Sequence, residues 1–128
     1  MGSSYRNLIA WQRALELSVT IYRLTGNFPR EEVYGLTSQM RRAAVSIASN
    51  IAEGYGRGSR REYRQFLRIA YGSVLELQTQ LAIANKLGFG ESETMERTQA
   101  MSEELGKIIW AIQKKLDTAP EATPVCIS

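Results

Sequence analysis

The chain has 128 residues, the length of one domain, and its 44% hydrophobic and 23% charged residues are those of an ordinary globular protein. No apolar run approaches the roughly 20 residues of a membrane-spanning helix. There is no histidine, one cysteine (Cys126) and one aspartate (Asp117); Ser-His-Asp and Cys-His catalysis, histidine bases, zinc sites and paired-aspartate chemistry are thereby excluded. The net charge is +3. The start, Met1 to Arg6, lacks an apolar signal core, and a lone cysteine suits a reducing compartment. The expectation is a cytoplasmic protein that is not an enzyme and needs no cofactor or metal.

A first helix is expected from about Leu8 to Thr25, with Asn7 as N-cap. Pro29 breaks it, because proline cannot continue a helix and pushes its predecessor out of the helical region. A second helix is expected from about Glu31 to Glu53, stopped by Gly54 in a left-handed cap. The loop Gly54-Tyr55-Gly56-Arg57-Gly58 follows. It comes after a helix and lacks the lysine and Ser/Thr of a P-loop, so its glycines are read as cap and turn. Ser59 and Glu62 form a capping box for a third helix that runs to about Leu87. The fourth starts near Ser92 and reaches about Asp117, and residues 118–128 make a loose tail with Pro120 and Pro124.

Hydrophobic spacing supports this division. Tyr63, Phe66, Leu67, Ala70, Val74, Leu77, Leu81 and Ala84 follow three- and four-residue steps, as do Met101, Leu105, Ile108, Ile109, Ile112 and Leu116. Four long helices with short connections make an all-α, antiparallel up-and-down four-helix bundle the natural solution, with residues 1–117 as its single domain. The first two helices carry two apolar stripes each. Leu8, Trp11, Leu15, Val19 and Tyr22 share one face of the first, and Ala10, Ala14, Leu17, Ile21 and Leu24 the opposite one. In the second, Leu36, Met40, Ala43, Ile47 and Ile51 oppose Val45, Ala48 and Ala52. A lone bundle buries one face per helix, so the second stripe calls for self-association. Ala10, Ala14, Leu17, Ile21, Val45, Ala48 and Ala52 are the candidate interface.

Charge is unevenly placed. Residues 1–70 hold eleven Arg and five Glu, a net +6, and residues 71–128 carry −3. Seven arginines lie between Arg41 and Arg68, against Glu53 and Glu62. Arginine's planar fork binds phosphate bidentately and stacks on bases, and Tyr55 and Tyr63 in the same stretch offer rings for unpaired bases. The competing reading pairs these arginines with carboxylates inside the assembly, as Arg57, Arg60 or Arg64 with Glu53. The glutamates Glu91, Glu93, Glu96, Glu103 and Glu104 cannot build a di-iron site without histidine, and solvation explains them. Gln39, Ser46 and Asn50 flank the apolar stripe of the second helix, where partly buried polar groups set register.

The stretch from Gln39 to Arg57, QMRRAAVSIASNIAEGYGR, resembles the signature of the four-helix-bundle family encoded in intervening sequences of bacterial large-subunit ribosomal RNA genes. Leu8 to Ala14, Phe28-Pro29, Tyr34 to Gln39 and Gly72 to Leu77 match its other recurrent stretches. The resemblance spans roughly Tyr5 to Asp117; Ala48 stands where the family carries proline. It implies a cytosolic homopentamer with no known enzymatic activity, distantly similar to the basic accessory proteins of diversity-generating retroelements, which bind nucleic acid. Carried over residue by residue, that similarity supports Arg41, Arg42, Arg57, Arg60, Arg61 and Arg64 as nucleic-acid contacts. The expected role is therefore an RNA- or DNA-binding accessory protein. The alternative is a protein–protein scaffold whose arginines are used in subunit contacts.

Overall fold

A computed structural model describes residues 4–118, so the tail expected beyond Thr118, with Cys126, lies outside the described residues. Four helices and no strand occur among them: α1 (Ile9–Thr25), α2 (Leu36–Gly56), α3 (Arg60–Lys86) and α4 (Ser92–Thr118). They form a four-helix bundle in which α1 packs on α2 and α4, and α3 on α2 and α4. One core runs through all four, built around Leu17, Ile21, Met40, Ile47, Ile51, Tyr63, Leu67, Leu77, Leu105 and Ile109.

The helix ends differ from expectation in instructive ways. Asn7 does not cap α1; it closes a 3-10 turn, Tyr5–Asn7, and Leu8 takes the N-cap place without a side-chain bond. The turn instead gains ring packing, with Tyr5 edge-on to Trp11 at 5.1 Å. Residues Arg30–Glu32 form a separate 3-10 turn, so α2 begins at Leu36 rather than Glu31. There the Glu32 carboxylate accepts the Leu36 N–H at 3.1 Å, a negative charge at the positive helix end. At the other end α2 continues through Gly54 to Gly56. Gly54 is a buried helical residue against Phe66 of α3, whose Cγ would lie 3.1 Å from an added Cβ. The glycine serves helix contact, and the chain turns at Gly58, where φ is +80°. Ser59 caps α3 as expected, its Oγ accepting the Glu62 N–H at 3.0 Å.

Cross-helix polar contacts fix the register. Ser46 Oγ and Ser73 Oγ are 3.0 Å apart, and Asn50 Nδ2 donates to Ser46 Oγ at 3.0 Å. Ser18 Oγ on α1 donates to the Ala44 carbonyl at 3.1 Å. Gln39, expected beside this pair, is exposed.

Ala10, Ala14, Leu17 and Ile21 correct the interface expectation, for all four are buried in the bundle core. Two stripes of equal period do not say which one points inward. Here it is the one with small alanines at 10 and 14, which let backbones approach, and large side chains at 17, 21 and 24. The outward stripe of α1 is Leu15, Val19 and Tyr22. On α2 Val45 is exposed, and Ala48 and Ala52 are half-buried. Ile69, Leu75 and Ile83 add an exposed apolar row on α3.

Candidate nucleic-acid interface

The six candidate arginines fall into two groups at opposite ends of α2. Sixteen residues separate Arg41 from Arg57, about 24 Å at the helical rise of roughly 1.5 Å per residue. They do not make one patch.

Arg41 ties α2 to the end of α1. Its Nε donates to Thr25 Oγ1 at 2.9 Å and Nη2 to the Tyr22 carbonyl at 3.3 Å, while its guanidinium lies 4.5 Å from the Tyr22 ring centre. A cation at a helix C-terminus satisfies free carbonyls and the negative dipole end. Arg42 is exposed and, among the described residues, donates only to Ser38 Oγ, at 3.2 Å. The groove beside this pair, about 450 Å³, includes Tyr22, Val33, Tyr34 and Val45, with Tyr34 95% exposed.

The second group closes the far end of the bundle. Arg60 is only 4% exposed and its Nη1 donates to the Leu116 carbonyl at 2.5 Å. Arg64 Nη1 reaches the same oxygen at 3.4 Å, and its Nε pairs with Asp117 at 3.8 Å. The last turn of α4 is thus held by two cations from the start of α3. Arg57 Nη2 bonds Glu53 at 3.0 Å, Nη1 faces Glu62 at 3.7 Å, and the group lies over the Phe66 ring at 5.1 Å. Arg60 is therefore an internal clamp rather than a phosphate contact, and Arg41, Arg57 and Arg64 hold the chain to itself. Arg61 differs. It is exposed and makes no hydrogen bond or ion pair among the described residues. So is Arg68, seven residues further along the same helix and therefore on nearly the same face. Arg68 belongs to the basic stretch but not to the six candidates; its i+7 relation to Arg61 is the sequence signal that points to it.

The tyrosines expected as stacking platforms are used inward. Tyr63 is fully buried, its ring 5.5 Å from that of half-buried Tyr55. Burial pushes the Tyr63 phenol well above its ordinary pKa, with Tyr55 adding to the effect, and its hydroxyl has no hydrogen-bond partner among the described residues.

At the start of α4 one glutamate, Glu91, acts as a cap. Glu91 Oε1 accepts the Thr94 N–H at 2.8 Å and the Thr94 hydroxyl at 2.5 Å, and Oε2 accepts the Glu93 N–H at 3.2 Å. These bonds, the Thr94 hydroxyl first, lower the Glu91 pKa. Among the described residues no three carboxylates or thiols gather as metal ligands, and no helix is long and apolar enough to cross a membrane.

Comparison with known proteins gives the context. The family model described as 23S rRNA-intervening sequence protein matches residues 6–111. Among solved structures, the chain is similar to a protein of unknown function from the S23 ribosomal protein family of Bacteroides thetaiotaomicron VPI-5482. Identity is 25% and the TM-score 0.74, over 83% of this chain and 99% of that one. A comparison with curated proteins finds no match.

Proposed function

The chain belongs to the 23S rRNA-intervening sequence protein family, and from that premise we propose that it is a non-catalytic, self-associating, cytoplasmic protein that binds nucleic acid through exposed arginines. The observation that carries this reading is the state of Arg42, Arg61 and Arg68. These are exposed guanidinium groups on α2 and α3 with no carboxylate partner among the described residues, in the half of the chain that bears +6. Such groups contact phosphates without reading sequence, so binding is salt-dependent and weakly selective. Residues 1–117 act as one domain, an up-and-down antiparallel bundle. Positions rising along α2 meet positions falling along α3, as Ser46 with Ser73 and Gly54 with Phe66. Self-association, as a homopentamer, would cover Leu15, Val19 and Tyr22 together with Val45, Ala48 and Ala52.

A second reading, a protein–protein scaffold, draws support from Arg41, Arg57, Arg60 and Arg64, which already have intramolecular partners. A titration of the nuclease-treated protein against a labelled structured RNA and a duplex DNA separates the two. Micromolar or tighter binding that Arg42→Ala/Arg61→Ala/Arg68→Ala abolishes, with assembly mass unchanged, supports nucleic-acid binding. No binding at low salt refutes it in favour of the scaffold.

A further inference from the structure

The groove between α3 and α4 has a volume of about 390 Å³ and is lined by Tyr71, Gln78, Glu103, Gly106, Lys107 and Trp110. Gly106 of α4 lies buried at its floor. A Cβ there would stand at ordinary contact distance, 3.4 Å from Val74 Cγ1, 3.6 Å from Gln78 Nε2 and 4.0 Å from Tyr71 Cε1, so Tyr71 packs directly against α4. Tyr71 in turn supports Trp110, with ring centres 5.7 Å apart and planes tilted by 42°. Trp110 is nonetheless 49% exposed. A supported aromatic ring, half open to water, is poorly used as core and well placed as a contact surface.

Charge around the ring has a definite sign. The Lys114 ammonium sits 4.9 Å from the Trp110 ring centre. Lys107, Trp110 and Lys114 follow at three- and four-residue steps, and so share one face of α4. Arg68 lies three residues before Tyr71 on α3, exposed and without a carboxylate partner among the described residues. Along α4 Asp117 is already paired with Arg64, which leaves Glu103 in the groove beside Lys107, with Lys114 against the ring.

We propose that Trp110, backed by Tyr71, is a stacking platform for an unpaired base of a single-stranded nucleic acid, with Arg68, Lys107 and Lys114 taking the adjoining phosphates. Every base has a flat π-face, so one ring suffices for sequence-tolerant contact. Lys114 is a point charge on a flexible four-carbon stem. It swings from the ring to a phosphate when a base takes its place. The inference rests on the nucleic-acid reading above and moves the stacking contact from Tyr55 and Tyr63 to the α3–α4 groove.

The probe is a short oligoadenylate, unlabelled for intrinsic fluorescence and end-labelled for anisotropy. The chain has two tryptophans, so in Trp11→Phe the emission belongs to Trp110 alone. Binding should quench that emission and high salt should restore it. By anisotropy, Trp110→Ala should weaken binding about 5- to 150-fold, the span that removing one base–aromatic stack produces, while Trp110→Phe keeps most of the affinity. If Trp110→Ala binds as tightly as the unchanged protein while Arg42→Ala/Arg61→Ala does not, the platform is refuted and the nucleic-acid reading stands. If Trp110→Ala instead alters the assembly mass by light scattering, the ring belongs to a subunit contact and the platform is refuted. If the unchanged protein binds no oligoadenylate at low salt, both readings fall.

Discussion

Replacing Gly54 by alanine tests whether this glycine exists for helix contact or for helix termination. In the interior of an exposed helix the change would gain about 1 kcal/mol, because glycine loses more backbone entropy on folding than alanine does. At position 54 the new methyl group meets Phe66. It falls inside contact distance of Phe66 Cβ, 3.1 Å from Cγ and 3.5 Å from Cδ2. A Cβ cannot rotate away, so α3 must shift. Overpacking of this kind costs about 1–3 kcal/mol, and a clash with an atom fixed to the backbone belongs at the upper end. The net expectation is destabilisation by about 1–2 kcal/mol, or a fall in Tm of roughly 3–8 °C for a chain of this size. Gly72 is the control: it is helical and exposed on α3, and an added Cβ meets nothing within 4 Å. Gly72→Ala should stabilise by up to about 1 kcal/mol. Both are measured by urea unfolding followed by circular dichroism, at one protein concentration so that any self-association enters both measurements equally. A Gly54→Ala protein as stable as Gly72→Ala would refute the contact argument.

The clamp at the end of α4 gives a second expectation. Arg60→Ala removes a buried charged donor from the Leu116 carbonyl and should cost about 1.5–3 kcal/mol in urea unfolding, whereas Arg61→Ala should stay within about 0.5 kcal/mol. Glu91 supplies a pH dependence. Its folded-state pKa is lowered, chiefly by the Thr94 hydroxyl, so its stabilising contribution is present above the unfolded carboxylate pKa and is lost as pH falls through the lowered folded value. In an NMR titration it should protonate below an ordinary glutamate, and Glu91→Gln should flatten that limb of the stability profile; an ordinary Glu91 pKa would contradict the cap. Self-association is checked with Val19→Glu/Val45→Glu, which places charge on two exposed apolar residues. Light scattering should show a smaller assembly with helicity retained, and an unchanged mass would remove this face from the interface.

Helix number and approximate extent are legible in the sequence because amphipathic spacing over four to seven turns has no rival interpretation. Ser59 is legible for a local reason, since its cap depends only on residues three apart. What the sequence hides depends on distant partners. Gly54 reads as a stop, but its role is set by Phe66, twelve residues away across the turn. The inward stripe of α1 does not follow from period, because Ala10 and Leu15 belong to patterns of the same repeat, and only packing of α1 on α2 and α4 chooses between them. The arginine stretch is visible as composition, yet its division into internal ties and free cations is not. Arg60 and Arg61 are neighbours on α3, and one turns toward Leu116 while the other faces solvent. Trp110 gives a weak signal, because its groove partners Tyr71 and Gly106 lie far off in sequence or carry no side chain.

Phosphate binding by exposed arginines is measured most directly through counterion release. Each phosphate contact contributes a slope of about −0.7 to −0.9 to the logarithm of the binding constant against that of salt concentration. Affinity for a labelled RNA, measured across salt concentrations for the unchanged protein and for Arg42→Ala/Arg61→Ala/Arg68→Ala, gives the number of phosphates these three side chains neutralise. The slope should be shallower by about 2 to 3 in the triple variant. Equal slopes for the two proteins would contradict it, and would leave these arginines outside any nucleic-acid surface.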